Sequence, residues 1–161
     1  MIGVVGSKRL TKKINDNLMA TVKKSITINV NVEKVYNYLR DPSNQPEWMP
    51  GMIEVKVITG SDVGDRFKWT YKMAGILLEG ETTITELVPN ERIVTDSKGG
   101  VKSTFDFKLK SVGEVTSVEL TIDYTVPVPV LGRLAEKVIL KRNEREADLA
   151  MGNIKEMLEG Q

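Results

Sequence analysis

The sequence predicts an α+β domain in which a curved, seven-stranded antiparallel sheet wraps around one long C-terminal helix, in the order β-α-α-β6-α. Three observations carry this. Between Met52 and Val126, six strand-like runs follow one another with only short, turn-like connections between them. Several of these runs alternate apolar and polar residues, so one face of the sheet is buried and the other is wet. Beyond Pro127 and Pro129, neither of which can donate to a ladder, the stretch Val130 to Leu158 lacks proline and is dominated by good helix formers. About 28 residues at ~1.5 Å rise make a rod of roughly 42 Å, long enough to cover the buried face of a small sheet.

Residues 1–19 are expected to be a flexible N-terminal extension to a domain of residues 20–161. Lys8, Arg9, Lys12 and Lys13 form a basic cluster there, and Leu10, Ile14 and Leu18 sit four apart. A short amphipathic helix is the alternative to a frayed tail. Gly3-Val4-Val5-Gly6 is not a phosphate loop, because no strand precedes it and the Gly-Lys-Ser/Thr ending is missing.

The first strand of the domain is read over Val22 to Val30, with Val22, Ile26, Ile28 and Val30 on one face. Asn31 is placed to cap a short helix, Val32 to Leu39, whose buried side is Val32, Val35, Tyr36 and Leu39. Asp41-Pro42 starts a second short helix, and Pro46 is expected to break it before Glu47-Trp48-Met49-Pro50-Gly51. The six following strands are Met52 to Thr59, Asp65 to Met73, Leu77 to Val88, Arg92 to Ser97, Val101 to Lys110 and Thr116 to Val126. Phe67, Trp69, Tyr71 and Met73 share one face, as do Phe105, Phe107 and Leu109, and as do Val118, Leu120, Ile122, Tyr124 and Val126. These faces point inward.

On the long helix, Ala135, Ile139, Asn143, Ala147, Ala150, Ile154 and Leu158 recur at intervals of four and three, the spacing of a single face. Its ends are bulky and its middle is small or polar. Since protein interiors are filled close to crystal density, two readings follow. Either a large side chain of the sheet fills the space beneath Asn143, Ala147 and Ala150, or the space is a ligand cavity with Asn143 as its polar handle. A competing register through Val138, Arg142, Arg145 and Leu149 would turn Arg142 inward, and it is the less favoured one.

Composition narrows the chemistry. In 161 residues, 23 basic and 22 acidic side chains are mixed along the chain for a net charge of +1, so neither nucleic acid nor an anionic membrane is an expected partner. Cysteine and histidine are both absent. That excludes disulfides and thiolate chemistry, the commonest general base and nearly all zinc sites, and no metal or cofactor is expected. No apolar run approaches membrane-spanning length and no signal-peptide core is present, so a cytoplasmic protein without stable membrane insertion is expected. Oligomeric state is left open.

The run Val32-Glu33-Lys34-Val35-Tyr36-Asn37-Tyr38-Leu39-Arg40-Asp41-Pro42, followed by Pro46-Glu47-Trp48, resembles the start of polyketide cyclase/dehydrase-like and coenzyme Q-binding-like proteins. The ending Ala150-Met151-Gly152-Asn153-Ile154-Lys155-Glu156-Met157-Leu158-Glu159 is similar to their helix terminus. These are members of the START-related (SRPBCC) superfamily, which includes the birch-pollen-allergen-like proteins and has the helix-grip fold. The resemblance covers about Val22 to Glu159, and its motifs are diffuse. It implies a hydrophobic cavity between sheet and long helix that takes lipids, sterols, quinones, polyketides or plant hormones. Some members are aromatase/cyclases and some activate chaperones. The family has no shared catalytic residue set to carry over, and the lack of histidine counts against any cyclase chemistry that needs an imidazole.

Candidate cavity-lining residues are therefore Trp69, Tyr71, Thr82, Phe105, Phe107, Tyr124, Asn143, Ala147 and Ala150, with core packing as the alternative role for the aromatic ones. Buried tyrosine hydroxyls need partners, so Tyr71, Tyr124 and Asn143 are expected to bond one another or a ligand carbonyl. Trp48, Met49 and Met52 flank the break where the entrance would lie, unless Trp48 simply plugs the core. Arg142 and Glu146, spaced i, i+4, are read as a solvated pair with a gate as the alternative. The carboxylate pairs Glu79/Glu81 and Glu119/Asp123 fall on outer, wet faces, where a general acid could not hold a raised pKa. The leading expectation is a non-catalytic binder of a small hydrophobic or amphipathic ligand. A cyclase/dehydratase-like enzyme using Tyr71, Tyr124 or Asn143, and a chaperone-activator-like interaction module, are the alternatives.

Overall fold

The computed structural model describes residues 9–14, 17–57, 59–132 and 134–161. One antiparallel sheet contains every strand among them, in the order β1-β2-β8-β7-β6-β5-β4-β3. Seven strands are those expected: β2 (Asn17–Ile28), β3 (Met52–Val57), β4 (Arg66–Met73), β5 (Ile76–Val88), β6 (Arg92–Gly99), β7 (Lys102–Val112) and β8 (Val115–Val126). The eighth, β1 (Arg9–Ile14), was not expected. It pairs with β2 from Arg9↔Val22 to Ile14↔Asn17, so its backbone meets the edge of β2 that β8 leaves open. The helical spacing of Leu10, Ile14 and Leu18 is thus not used as a helix, and Leu18 joins the core from β2 at 1% exposure.

The helices follow the capping chemistry with two corrections. The Asn31 side chain accepts from the Lys34 N–H at 3.0 Å and opens α1 (Val32–Arg40). Asp41 accepts from the Ser43 N–H and starts a single 3₁₀ turn, Pro42–Asn44. Pro46 does not break a helix: it occupies the first turn of α2 (Gln45–Trp48), where its missing N–H is no loss. The long C-terminal helix likewise begins later than Val130. A one-turn helix α3 (Val128–Leu131) closes at Gly132, and α4 runs from Glu136 to Glu159. Ala135, expected on the buried face, is instead the exposed, extended N-cap of α4.

Along α4 the buried residues are Ile139, Leu140, Ala147, Ala150, Met151, Ile154 and Leu158. Val138 and Leu149 are half exposed and Arg142 and Arg145 lie outside, so the competing register is not the one used. The helix packs across β2, where Lys24 is buried at 5% exposure and its Nζ lies 3.0 Å from Oδ1 of Asp148. The apolar core falls into two groups. One joins α1, β7, β8 and the C-terminal half of α4, and the other joins β2, β4 and the N-terminal half of α4. A continuous core would need bulk at the waist of α4, and the sequence supplies two alanines there.

A cavity between the sheet and the C-terminal helix

Where the two halves of the core fail to meet there is a cavity of about 130 Å³, lined by residues of both groups. The sheet supplies a wall of rings. Trp69 and Tyr71 come from the inner face of β4, Phe105 and Phe107 from β7, and Tyr124 from β8. α4 supplies Asn143, Glu146, Ala147 and Ala150. Trp48, Met49 and Met52 close the end nearest α2, and half-exposed Gln45 and Pro50 beside them bring the lining to the surface. All nine residues singled out as lining and all three singled out as entrance therefore border the same space.

Polar groups sit in this lining in a definite arrangement. The Trp69 indole N–H donates to Oγ1 of Thr82 at 2.9 Å, and Thr82 shares a 2.5 Å hydrogen bond with Oγ of Ser97. Strand register explains the row: Thr82 lies opposite Ser97, Ser97 opposite Ser103, and Ser103 opposite Tyr124. Four hydroxyl-bearing residues thus cross the inner face side by side. The indole can lie flat over β5 because its partner position is Gly80. A Cβ there would come within 2.1 Å of Cζ2 of Trp69.

From the sheet across to α4, Tyr71 donates its hydroxyl to Oε2 of Glu146 at 2.9 Å, and Nε of Arg142 stands 3.6 Å from Oε1. Burial first, and the neighbouring carboxylate second, push the Tyr71 hydroxyl well above its ordinary pKa. Burial also holds the Glu146 carboxyl above the usual range, although Tyr71 and Arg142 both pull it down. Glu146 is therefore a cavity group and not only half of a solvated helix pair.

Two buried donors in the lining residues have no partner among the described residues: Nε1 of Trp48 and Nδ2 of Asn143. Leaving such a donor unsatisfied costs about 1–3 kcal/mol. The Trp48 ring is fixed edge-on to Phe107 at 5.8 Å, and its backbone carbonyl accepts from Asn153 at 3.2 Å. On the outer faces Glu81 is paired to Arg66 and Glu119 to Lys23.

Sequence reasoning missed Ser97, Ser103 and Thr95 as lining, and it brought Glu146 to the cavity only through the less favoured gate reading. Ser103 was legible, since it has the parity of Phe105 and Phe107. Ser97 and Thr95 were not, because β6 carries too few apolar residues to declare which face is inner. Among the described residues no cluster of acidic side chains could hold a metal, and no helix is long and apolar enough to cross a membrane.

A sheet packed against one long helix, with a cavity at the waist of that helix, defines the helix-grip fold. Residues 19–159 match the model of the polyketide cyclase/dehydrase and lipid transport family, and the chain belongs to that family, within the START-related (SRPBCC) superfamily. Solved structures agree in fold. A protein of Thermus thermophilus superposes with a TM-score of 0.74 at 19% identity, covering 87% of this chain and 97% of that one. A START superfamily protein of Mycobacterium smegmatis gives 0.70 at 18%, covering 87% and 97%. The Zhui aromatase/cyclase of a Streptomyces species gives 0.67 at 16%, covering 86% and 94%. At these identities the likeness establishes the fold alone. No protein of curated function matches the sequence.

Proposed function

We propose that this protein binds and carries a small hydrophobic or amphipathic molecule, of lipid, quinone or polyketide-like character, between its sheet and α4. One observation carries the reading: α4 narrows to Asn143, Ala147 and Ala150 opposite a wall of rings, and a cavity of about 130 Å³ remains there. An engineered apolar cavity of about 150 Å³ is enough to bind benzene, so a space of about 130 Å³ is close to the size that a single-ring guest needs. The family's association with lipid transport supports the same reading.

A second reading, a cyclase/dehydratase-like enzyme, is favoured by the Tyr71–Glu146 pair and by the aromatase/cyclase among the structural relatives. It is the weaker one. A phenol pushed up by burial and a neighbouring carboxylate gives up its proton less readily, which suits a hydrogen-bond donor better than a general acid. An interaction module with a solid core, the third possibility, has no need of the cavity.

The test is mass spectrometry of the organic extract from protein purified out of its native host. An apolar small molecule near stoichiometric amount, lost from the Ala147→Phe variant, supports carriage. An extract with no such molecule, from wild type and variant alike, argues against it.

A further inference from the structure

The cavity combines apolar walls with two donors that the fold leaves unanswered. The Trp48 indole is 1% exposed and its N–H has no acceptor among the described residues; Asn143 is only partly buried, but its Nδ2 atom is shielded from solvent and likewise has no partner there. The other polar groups differ. Trp69 is answered by Thr82, Thr82 by Ser97, and Tyr71 by Glu146. Buried polar groups in folded proteins are nearly always hydrogen-bonded, so two orphan donors around one cavity point to what occupies it. Their positions are distinct. Trp48 ends α2, where its backbone carbonyl accepts from Asn153, and Asn143 lies ten residues earlier on α4.

Charge selects further. Glu146 lines the same wall as Asn143, with one carboxylate oxygen on the Tyr71 hydroxyl and the other 3.6 Å from the Arg142 guanidinium, which is half exposed and outside the lining. A carboxylate or phosphate head placed there would meet a like charge in a poorly solvated site. A guest with only donor groups would leave both orphans unanswered.

Resting on the carrier reading, we propose that the guest is a neutral molecule whose polar atoms are acceptor oxygens of the carbonyl type, held by the Asn143 amide and the Trp48 indole. Fatty-acid-like anions are the class that this lining rejects.

Three probes of equal heavy-atom count separate the possibilities: cumene, acetophenone and benzoate, titrated into the full-length protein and followed by calorimetry. Acetophenone is expected to bind roughly fivefold more tightly than cumene, the effect of about one net hydrogen bond, and benzoate more weakly than either. Nitrogen–proton spectra give a second readout. Acetophenone should shift the Trp48 indole or the Asn143 side-chain amide, and cumene should shift neither by as much. The Trp69 indole, already bonded to Thr82, is the internal control. In Asn143→Leu the preference for acetophenone over cumene should shrink. Should that variant not fold, the wild-type titrations and spectra still decide. Equal affinity for cumene and acetophenone overturns the acceptor proposal and leaves the cavity reading standing. Tightest binding of benzoate overturns it through charge. Failure of all three probes to bind removes the carrier reading, and this inference with it.

Discussion

The Tyr71 hydroxyl donates to Oε2 of Glu146 across 2.9 Å, tying the middle of β4 to the middle of α4 over a separation of 75 residues in sequence. Both side chains border the cavity. The pair sets the polarity of that part of the lining.

Removing the hydroxyl in Tyr71→Phe should cost about 1 kcal/mol, the net worth of such a bond at a partly exposed site. Burial holds the Glu146 carboxyl above the usual range, with Tyr71 and Arg142 opposing. A folded-state pKa above the unfolded one means that the native state holds the proton more tightly. The contribution of Glu146 is therefore fully present below its unfolded pKa and declines as pH rises through its folded pKa. Urea midpoints of wild type minus Glu146→Gln should thus fall with rising pH from the ordinary carboxylate range upward. In the Tyr71→Phe background the decline should be larger, because one of the groups lowering the carboxyl is gone. Glu159 gives the opposite sign. Lys155 and the Asn29 N–H hold its carboxyl low, so its contribution is present at higher pH and lost on acidification. A difference profile for Glu146→Gln that is flat or rises with pH would refute the assignment.

Gly80→Ala should destabilise the protein by about 1–3 kcal/mol, the usual range for overpacking. The new methyl would meet Trp69 at 2.1 and 2.5 Å and the Lys98 carbonyl at 2.6 Å, so the indole must move and its bond to Thr82 must stretch. Chemical denaturation measures the loss. An unchanged midpoint would mean that the indole does not lie over Gly80.

Lys24 and Asp148 offer an asymmetric pair. The ammonium is buried, but the carboxylate is about half exposed. Asp148→Asn strands a buried cation and should cost about 1–2 kcal/mol, below the range for fully buried pairs because solvent still reaches Asp148. Lys24→Met removes the charge with similar bulk and should be close to neutral. Equal losses from the two substitutions would show that burial of Lys24 carries no electrostatic penalty.

The fold was legible because strong alternation and a proline-free stretch of helix formers are local signals, and seven strands and α1 follow from them. Lys24 was not legible. It has the parity of Val22 and Ile26, but an ammonium is rarely buried without a partner, and only the approach of α4 gives it Asp148. Strand β1 was missed for a related reason. Leu10, Ile14 and Leu18 fit a helical period, while the open edge of β2 that recruits Arg9–Ile14 exists only in the assembled sheet. At the site, the small residues at the waist of α4 and the rings of β4, β7 and β8 came from periodicity. The role of Glu146 depended on Tyr71 being opposite, a relation between distant segments that no local pattern records.

The most direct test of the carrier account is the thermal midpoint of the wild type and of Ala147→Phe, each with and without saturating benzene. A ligand bound only by the native state stabilises it by about 2.7 kcal/mol at a hundred times its Kd. The account predicts a clear upward shift for the wild type and none for a folded Ala147→Phe, whose ring fills the waist of α4. A wild-type midpoint indifferent to benzene, or an equal shift in both proteins, would contradict it.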